Sequence, residues 1–87
     1  MTIEIELFGI PRSRAGTART RVEASSLGEA FDRLAEQFPV FADACLVDGR
    51  LRNGFVANVQ GEKFVRDPTT PLHDGDVVLI LSADAGG

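Results

Sequence analysis

Ile3, Ile5 and Leu7 alternate with Glu4, Glu6 and Phe8, a period of two that predicts a strand with one buried face from about Thr2 to Phe8. The segment from Gly9 to Thr17 holds two glycines and a proline without sustained periodicity and reads as a loop. Arg19 to Ala24 then returns as a short strand rich in β-branched and polar residues, closing a hairpin over a long basic loop. The period changes after that. Leu27, Ala30, Phe31, Leu34, Ala35 and Phe38 fall at i, i+3, i+4, i+7, i+8 and i+11, which places them on one stripe of an α-helix. Ser26 and Glu29 have the capping-box spacing: the hydroxyl takes a free N–H of the first turn and the carboxylate reaches back to the cap N–H. Pro39 disfavours helical geometry in the residue before it, so the helix is expected to end at Gln37 and Phe38. Val40 to Leu46 reads as a further helical turn that packs Phe41 and Leu46.

Asp48-Gly49 and Asn53-Gly54 are turn signals that share one irregular connection from Asp48 to Gly54. Phe55 to Val59 and Lys63 to Val65 flank Gln60-Gly61 and predict a second hairpin. After the proline-rich stretch Asp67 to Pro71, Leu72 precedes the turn Asp74-Gly75-Asp76, and the last strand runs from Val77 to Ser82. This order predicts an α+β fold, a mixed sheet of four to five strands with one main helix packed on one face. Val77 to Leu81 is apolar on both faces, so the last strand belongs between others. The residues beyond it therefore leave from the middle of the sheet. The expected division is a folded domain over residues 1–82 and a C-terminal tail over residues 83–87.

Composition narrows the function classes. The chain has 87 residues, 13 acidic against nine basic, with a formal net charge of −4. That balance argues against nucleic acid as a partner, since such affinity rests on neutralising phosphates with Lys and Arg. The single cysteine, Cys45, allows neither an internal disulfide nor a cysteine zinc site and reads as a small core hydrophobe. One histidine, His73, is too few for a catalytic or metal triad. The longest apolar run, Val77 to Leu81, is far short of the roughly 20 residues that span a bilayer, and the acidic, alternating start is unlike a signal peptide. A cytoplasmic, reduced protein with no membrane partner is expected. Arg12, Arg14, Arg19 and Arg21 concentrate four of the nine basic residues in a stretch free of acids, read as a solvated loop. The remainder is correspondingly acidic, which suggests a basic surface on its partners.

The tail, Ala83-Asp84-Ala85-Gly86-Gly87, has no bulky side chain and ends in two glycines that let another protein's walls approach the backbone. Extended at about 3.3 Å per residue it reaches roughly 16 Å, enough to thread a narrow channel and present a carboxylate at its far end. A carboxylate is a poor electrophile, and nothing in the chain resembles a phosphate loop. ATP-dependent activation would belong to a partner, with no cofactor bound by the chain itself.

Leu72-His73-Asp74-Gly75-Asp76, the apolar strand after it and the terminal Gly86-Gly87 resemble the ThiS/MoaD family of ubiquitin-like, β-grasp sulfur carriers. Gly-Gly alone is a weak signal; joined to the turn, the strand and the element order it carries the resemblance. Phe8-Gly9, Arg12 and Gly16 resemble the residues after strand one in the molybdopterin-synthase small-subunit branch. Gln60-Gly61 departs from the Asn-Gly common in the family. The resemblance implies a non-catalytic carrier. An adenylating enzyme of the ubiquitin-activating type would adenylate Gly87, and a sulfurtransferase would convert it to a thiocarboxylate. The sulfur would go to an acceptor such as the molybdopterin synthase large subunit, while Gly86 and Ala85 let the tail pass the channel. Carriers for thiamine, cysteine or tRNA thiolation, and protein modifiers joined to lysines, share the same fold and tail. Strand parity adds a docking surface: if Val78 and Ile80 point at the helix, then Leu79 and Leu81 face away together with Phe8, and Lys63 rims this patch.

Overall fold

The computed structural model describes residues 1–83. Its elements are β1 (Thr2–Leu7), α1 (Ile10–Ala15), β2 (Arg19–Glu23), α2 (Leu27–Gln37), α3 (Pro39–Cys45), β3 (Leu46–Val47), β4 (Arg50–Leu51), β5 (Phe55–Val59), β6 (Lys63–Val65) and β7 (Val77–Ser82). Five strands form one sheet in the order β2-β1-β7-β5-β6, and β3 and β4 form a separate two-stranded ribbon. β1 and β7 run parallel at the centre, while every other pairing in the sheet is antiparallel. The last strand is therefore central, as its two-sided apolar pattern predicts, and the architecture is a β-grasp.

One face of the sheet is filled by alternate residues. Ile3, Ile5 and Leu7 of β1, Val22 of β2, Val78 and Ile80 of β7 and Ala57 and Val59 of β5 are all buried against the helices. From α2 come Leu27, Ala30, Phe31 and Leu34, fully or almost fully buried, with Ala35 and Phe38 packed at the margin of the same cluster. The six-residue stripe thus does what its spacing requires. Ser26 caps the helix, its Oγ accepting from the Glu29 N–H at 3.2 Å. The Glu29 carboxylate bonds the Ser25 N–H at 2.8 Å, one residue before the cap. Phe38 leaves the helical region (φ −131°, ψ 76°), as the residue before a proline is biased to do, and Pro39 then opens α3, where its missing N–H costs nothing. Phe41 and Leu46 are buried as expected.

Two segments read as irregular are structured. Gly9 to Thr17 contains α1, a six-residue helix resting on α3 and β7. So short a helix has no periodicity to detect and little stability of its own. It is held instead by its ends and its packing. Gly9 enters it at φ 62°, Pro11 occupies its first turn and is buried, and Gly16 ends it in the left-handed conformation at φ 76° with its N–H on the Arg12 carbonyl. The connection from Asp48 to Gly54 holds β4, whose partner β3 begins at Leu46, the residue expected to close the helical turn; Asp48 (φ 51°) and Gly49 (φ 75°) form the tight turn between the paired Val47 and Arg50.

The Asp74-Gly75-Asp76 turn joins the two central strands. The Asp74 carboxylate accepts the Thr2 N–H at 2.8 Å, the Gly75 N–H donates to the Thr2 carbonyl, and the Asp76 carbonyl accepts from Glu4. Asp76 also closes the turn on itself through the His73 N–H. Leu72 plugs into the core and donates its N–H to the Ser25 carbonyl, tying the turn to the helix cap.

Gly28, on the first turn of α2, meets the Pro68 backbone: its N–H donates to the Pro68 carbonyl at 2.8 Å, and a Cβ there would lie 2.9 Å from Pro68 Cβ and 3.1 Å from its oxygen. Helix propensity favours alanine over glycine by about 1 kcal/mol, whereas forcing a methyl into packed space costs about 1–3 kcal/mol. The clash is with backbone on one side, so it should win. Gly28→Ala is expected to lower stability by about 1 kcal/mol, and urea unfolding followed by circular dichroism checks the sign.

Candidate docking face at the tail root

The face of the sheet away from the helices is divided. On β1 and β2 it is charged: the register sets Glu4 opposite Arg21 and Glu6 opposite Arg19, and Arg19 Nη2 lies 3.4 Å from Glu6. Arg19 and Arg21 thus sit on a strand and only Arg12 and Arg14 lie in the segment read as a loop, where they occupy the last turn of α1. Glu23 receives the Thr2 hydroxyl at 2.6 Å and the amino terminus at 3.3 Å, which together hold its carboxyl below the usual carboxylate range. On β7, β5 and β6 the same face is apolar. Val78 and Ile80 are buried and Leu79 and Leu81 half-buried, so the parity read from the strand is the parity observed. Phe8, 38% exposed, follows β1 and extends its ladder by donating to the Ile80 carbonyl at 3.0 Å.

The centre of this patch lies further across the sheet than Phe8. Val56 pairs with Leu81, Asn58 with Leu79 and Phe64 with Asn58, which sets Val56 and Phe64 on the open face. Phe64 is 67% exposed, the most exposed phenylalanine among the described residues. Val56, Phe64, Leu81, Ser82 and Ala83 line a shallow cavity of about 200 Å³. The side chain of Asn58 is buried in the same row, and its Oδ1 has no hydrogen-bond partner among the described residues.

The register also corrects the position of Lys63. A two-residue loop at Gln60-Gly61 would pair Val59 with Glu62 and put Lys63 opposite Asn58, on the open face. Three residues intervene instead, so Val59 pairs with Lys63 and Asn58 with Phe64. A slip of one residue exchanges the faces of a strand. Lys63 therefore has the same facing as Val59, away from the patch it was expected to rim, and Phe64 takes its place. Gln60 stands at φ 62° in this turn and clamps β7: its N–H donates to the Val77 carbonyl at 2.8 Å and its Oε1 accepts the Val77 N–H at 2.7 Å. The longer amide is in use, which gives the departure from Asn-Gly a structural reason.

The root of the tail sits at the edge of this patch. Phe55 pairs with Ser82, and the Ala83 N–H donates to the Gly54 carbonyl at 2.7 Å. Ala85 and Gly86, expected to thread a partner's channel, and Gly87, expected to carry the sulfur, lie outside the described residues. Cys45 is fully buried at the end of α3, and desolvation pushes its thiol above the usual range against the opposing pull of Arg14 and Arg52. A neutral, enclosed thiol is not a nucleophile.

The fold is that of the ubiquitin-like β-grasp proteins. The chain belongs to the ThiS family, whose family model matches residues 5–87. Among solved structures it is similar to SAMP1 from Haloferax volcanii, at 22% identity with a TM-score of 0.85 over 100% of both chains. The Amycolatopsis orientalis BexX/CysO complex contains a similar chain, at 19% identity and a TM-score of 0.81, covering 98% of this chain and 99% of that one. A putative molybdopterin converting factor subunit 1 from Pyrococcus furiosus is similar at 17% identity and a TM-score of 0.74, covering 94% and 97%. At these identities the likeness is one of fold. No curated protein sequence matches significantly.

Two measurements test this geometry. Ile80→Asp should prevent folding, whereas Leu81→Asp, one residue away on the open face, should leave a cooperative unfolding transition close to that of the parent; equal damage from both would show that the face is covered. Cys45 should resist a thiol reagent in the native protein and react at once in denaturant. Because burial favours the neutral thiol, the unfolded chain ionises first, so stability should fall as pH rises past the ordinary thiol range. Rapid labelling without denaturant would place the thiol at the surface.

Proposed function

We propose that this chain is a sulfur carrier whose terminal Gly87 cycles between carboxylate and thiocarboxylate. The observation that carries the reading is the ThiS family match extending through residue 87, the second glycine of the terminal pair. A partner adenylating enzyme of the ubiquitin-activating type supplies ATP: a carboxylate oxygen of Gly87 attacks the α-phosphorus and pyrophosphate leaves. A sulfurtransferase persulfide then attacks the acyl carbon as the bond to AMP breaks, and a second thiol cleaves the resulting acyl disulfide, freeing the thiocarboxylate and leaving a disulfide between the two thiols. The resulting thiocarboxylate is the nucleophile used by an acceptor enzyme. The chain's own contribution is presentation. It fixes the tail root through the Ala83–Gly54 hydrogen bond, offers Phe64, Val56 and Leu81 beside it for docking, and keeps its one thiol out of the exchange chemistry. Leu79 and Phe8 extend the same docking face. The reading places the carrier in the cytoplasm with its ATP-using partner.

The pathway we favour is molybdopterin formation, with the synthase large subunit as acceptor. It is supported by Phe8-Gly9, Arg12 and Gly16, which build the entry and exit of α1, and by the likeness to the Pyrococcus furiosus subunit. The likeness to SAMP1, a small archaeal modifier protein, favours a second reading in which Gly87 is joined to lysines of target proteins.

Intact mass spectrometry after incubation with ATP, the cognate activating enzyme and a sulfur donor tests the carrier cycle. The expected product is heavier by the difference between one sulfur and one oxygen, and extending the chain beyond Gly87 should abolish it while leaving the fold intact. An unchanged mass with no adenylate would sink the proposal. A ladder of heavier conjugates in cell extracts, in place of a single free species, would favour the modifier reading.

A further inference from the structure

The chain is acidic, yet it collects three arginines around one opening. Arg50, Arg52 and Arg66 line a groove of about 660 Å³ between the β3–β4 ribbon and the exit of β6. Leu51 is buried, so alternation along the ribbon sends the side chains flanking it, those of Arg50 and Arg52, to the opposite, solvent side. Arg66 is held across the groove by its Nη1, which donates to the Phe55 carbonyl at 3.3 Å. Among the described residues none of the three forms an ion pair. Asp48 is the single acid in the lining, and Asp67, next to Arg66 in the chain, has its carboxylate turned onto the Thr69 N–H and hydroxyl at 2.8 Å each. The rest of the lining is mixed: Asp48 and Asn53 are polar, Leu51 is buried, and Val47, 43% exposed, offers apolar surface at one end.

The position of this groove matters as much as its charge. Asn53 lines it and precedes Gly54, whose carbonyl takes the Ala83 N–H, and Phe55, which anchors Arg66, is paired with Ser82. The groove therefore opens beside the point where the tail leaves the sheet.

We propose that this groove binds a carboxylate-rich, extended segment of the protein that receives the tail, and so holds that protein at the tail root. Three guanidiniums distributed along an opening of this volume match several carboxylates in series, because each planar fork takes a carboxylate bidentately. The exposed Val47 at one end gives an intervening side chain of such a segment an apolar contact that a small phosphate would not use. A single oxyanion would use only a fraction of the space. The identity of the partner rests on the carrier reading; the chemistry of the groove does not.

The test is a titration of the ¹⁵N-labelled full chain, followed by amide shifts. The probes are a short peptide alternating glutamate with valine, its analogue alternating glutamine with valine, and sodium pyrophosphate. The glutamate peptide should move the amides from Val47 to Asn53 and that of Arg66, with affinity falling as salt is added. The glutamine peptide should leave them in place. Arg50→Ala with Arg52→Ala should weaken the glutamate peptide at least about tenfold while keeping the parent spectrum elsewhere, a change of the size expected when charge-assisted pairs are lost. Arg33→Ala, which removes a partner of Glu36 on α2, should change nothing. Equal response to both peptides, or undiminished binding by the double variant, would overturn the proposal. So would pyrophosphate moving these amides where the glutamate peptide does not, since the occupant would then be a small phosphate. None of these readouts involves loading of Gly87, so their failure would leave the sulfur-carrier reading standing.

Discussion

The parallel pairing of β1 with β7 is the contact on which the rest of the molecule depends. Parallel neighbours cannot be joined by a tight turn, so almost the whole chain is the crossover between them, and each end of that crossover must be brought back to one line. The Asp74-Gly75-Asp76 turn does this with short bonds to Thr2 and Glu4 on one side and, through Leu72, to the cap of α2 on the other. Sheet, helix and amino terminus meet at the segment from Leu72 to Asp76. The family motif at this place is accordingly structural: its aspartates are spent on backbone N–H groups and not on substrate.

With the centre fixed in this way, the two faces of β7 acquire different tasks. Val78 and Ile80 complete the core under α2, and Leu79 and Leu81 remain for the outside. The open face then carries charge where β1 and β2 lie and apolar surface where β5 and β6 lie, so that a partner finds a polarity across the sheet as well as a hydrophobic contact. A charged border beside an apolar patch sets orientation and rate more than affinity.

Much of this was legible in the residues. Strong, long periodicities survived intact: the stripe from Leu27 to Phe38, the alternation of β1, the two-sided apolar run of β7 and the stop at Pro39. What escaped was short or depended on a count. α1 has six residues and exists because Pro11 is buried and Gly9 and Gly16 adopt positive φ, where glycine is favoured; no pattern of hydrophobicity marks it. The β3–β4 ribbon has two residues in each strand, too few for alternation to register. At the β5–β6 hairpin the turn was visible but its length was not, and one extra residue moved Phe64 outward and Lys63 away. The arginine groove was invisible for a further reason. Arg50 and Arg52 are separated from Arg66 by a whole hairpin, and only the fold brings them to one opening.

The geometry at the tail root has a mechanical side. A pull on the C-terminus would run along β7, which is paired with β1 from Val77 to Ile80 and with β5 from Val78 to Ser82. Such a pull loads those hydrogen bonds in shear, so they must yield together and not one after another from an end. Among the described residues, the Ala83–Gly54 bond lies beyond the last paired residues, at the point of traction. Under such a load it can open and free one more residue while the sheet behind it holds, so the strand end carries a residue of built-in slack.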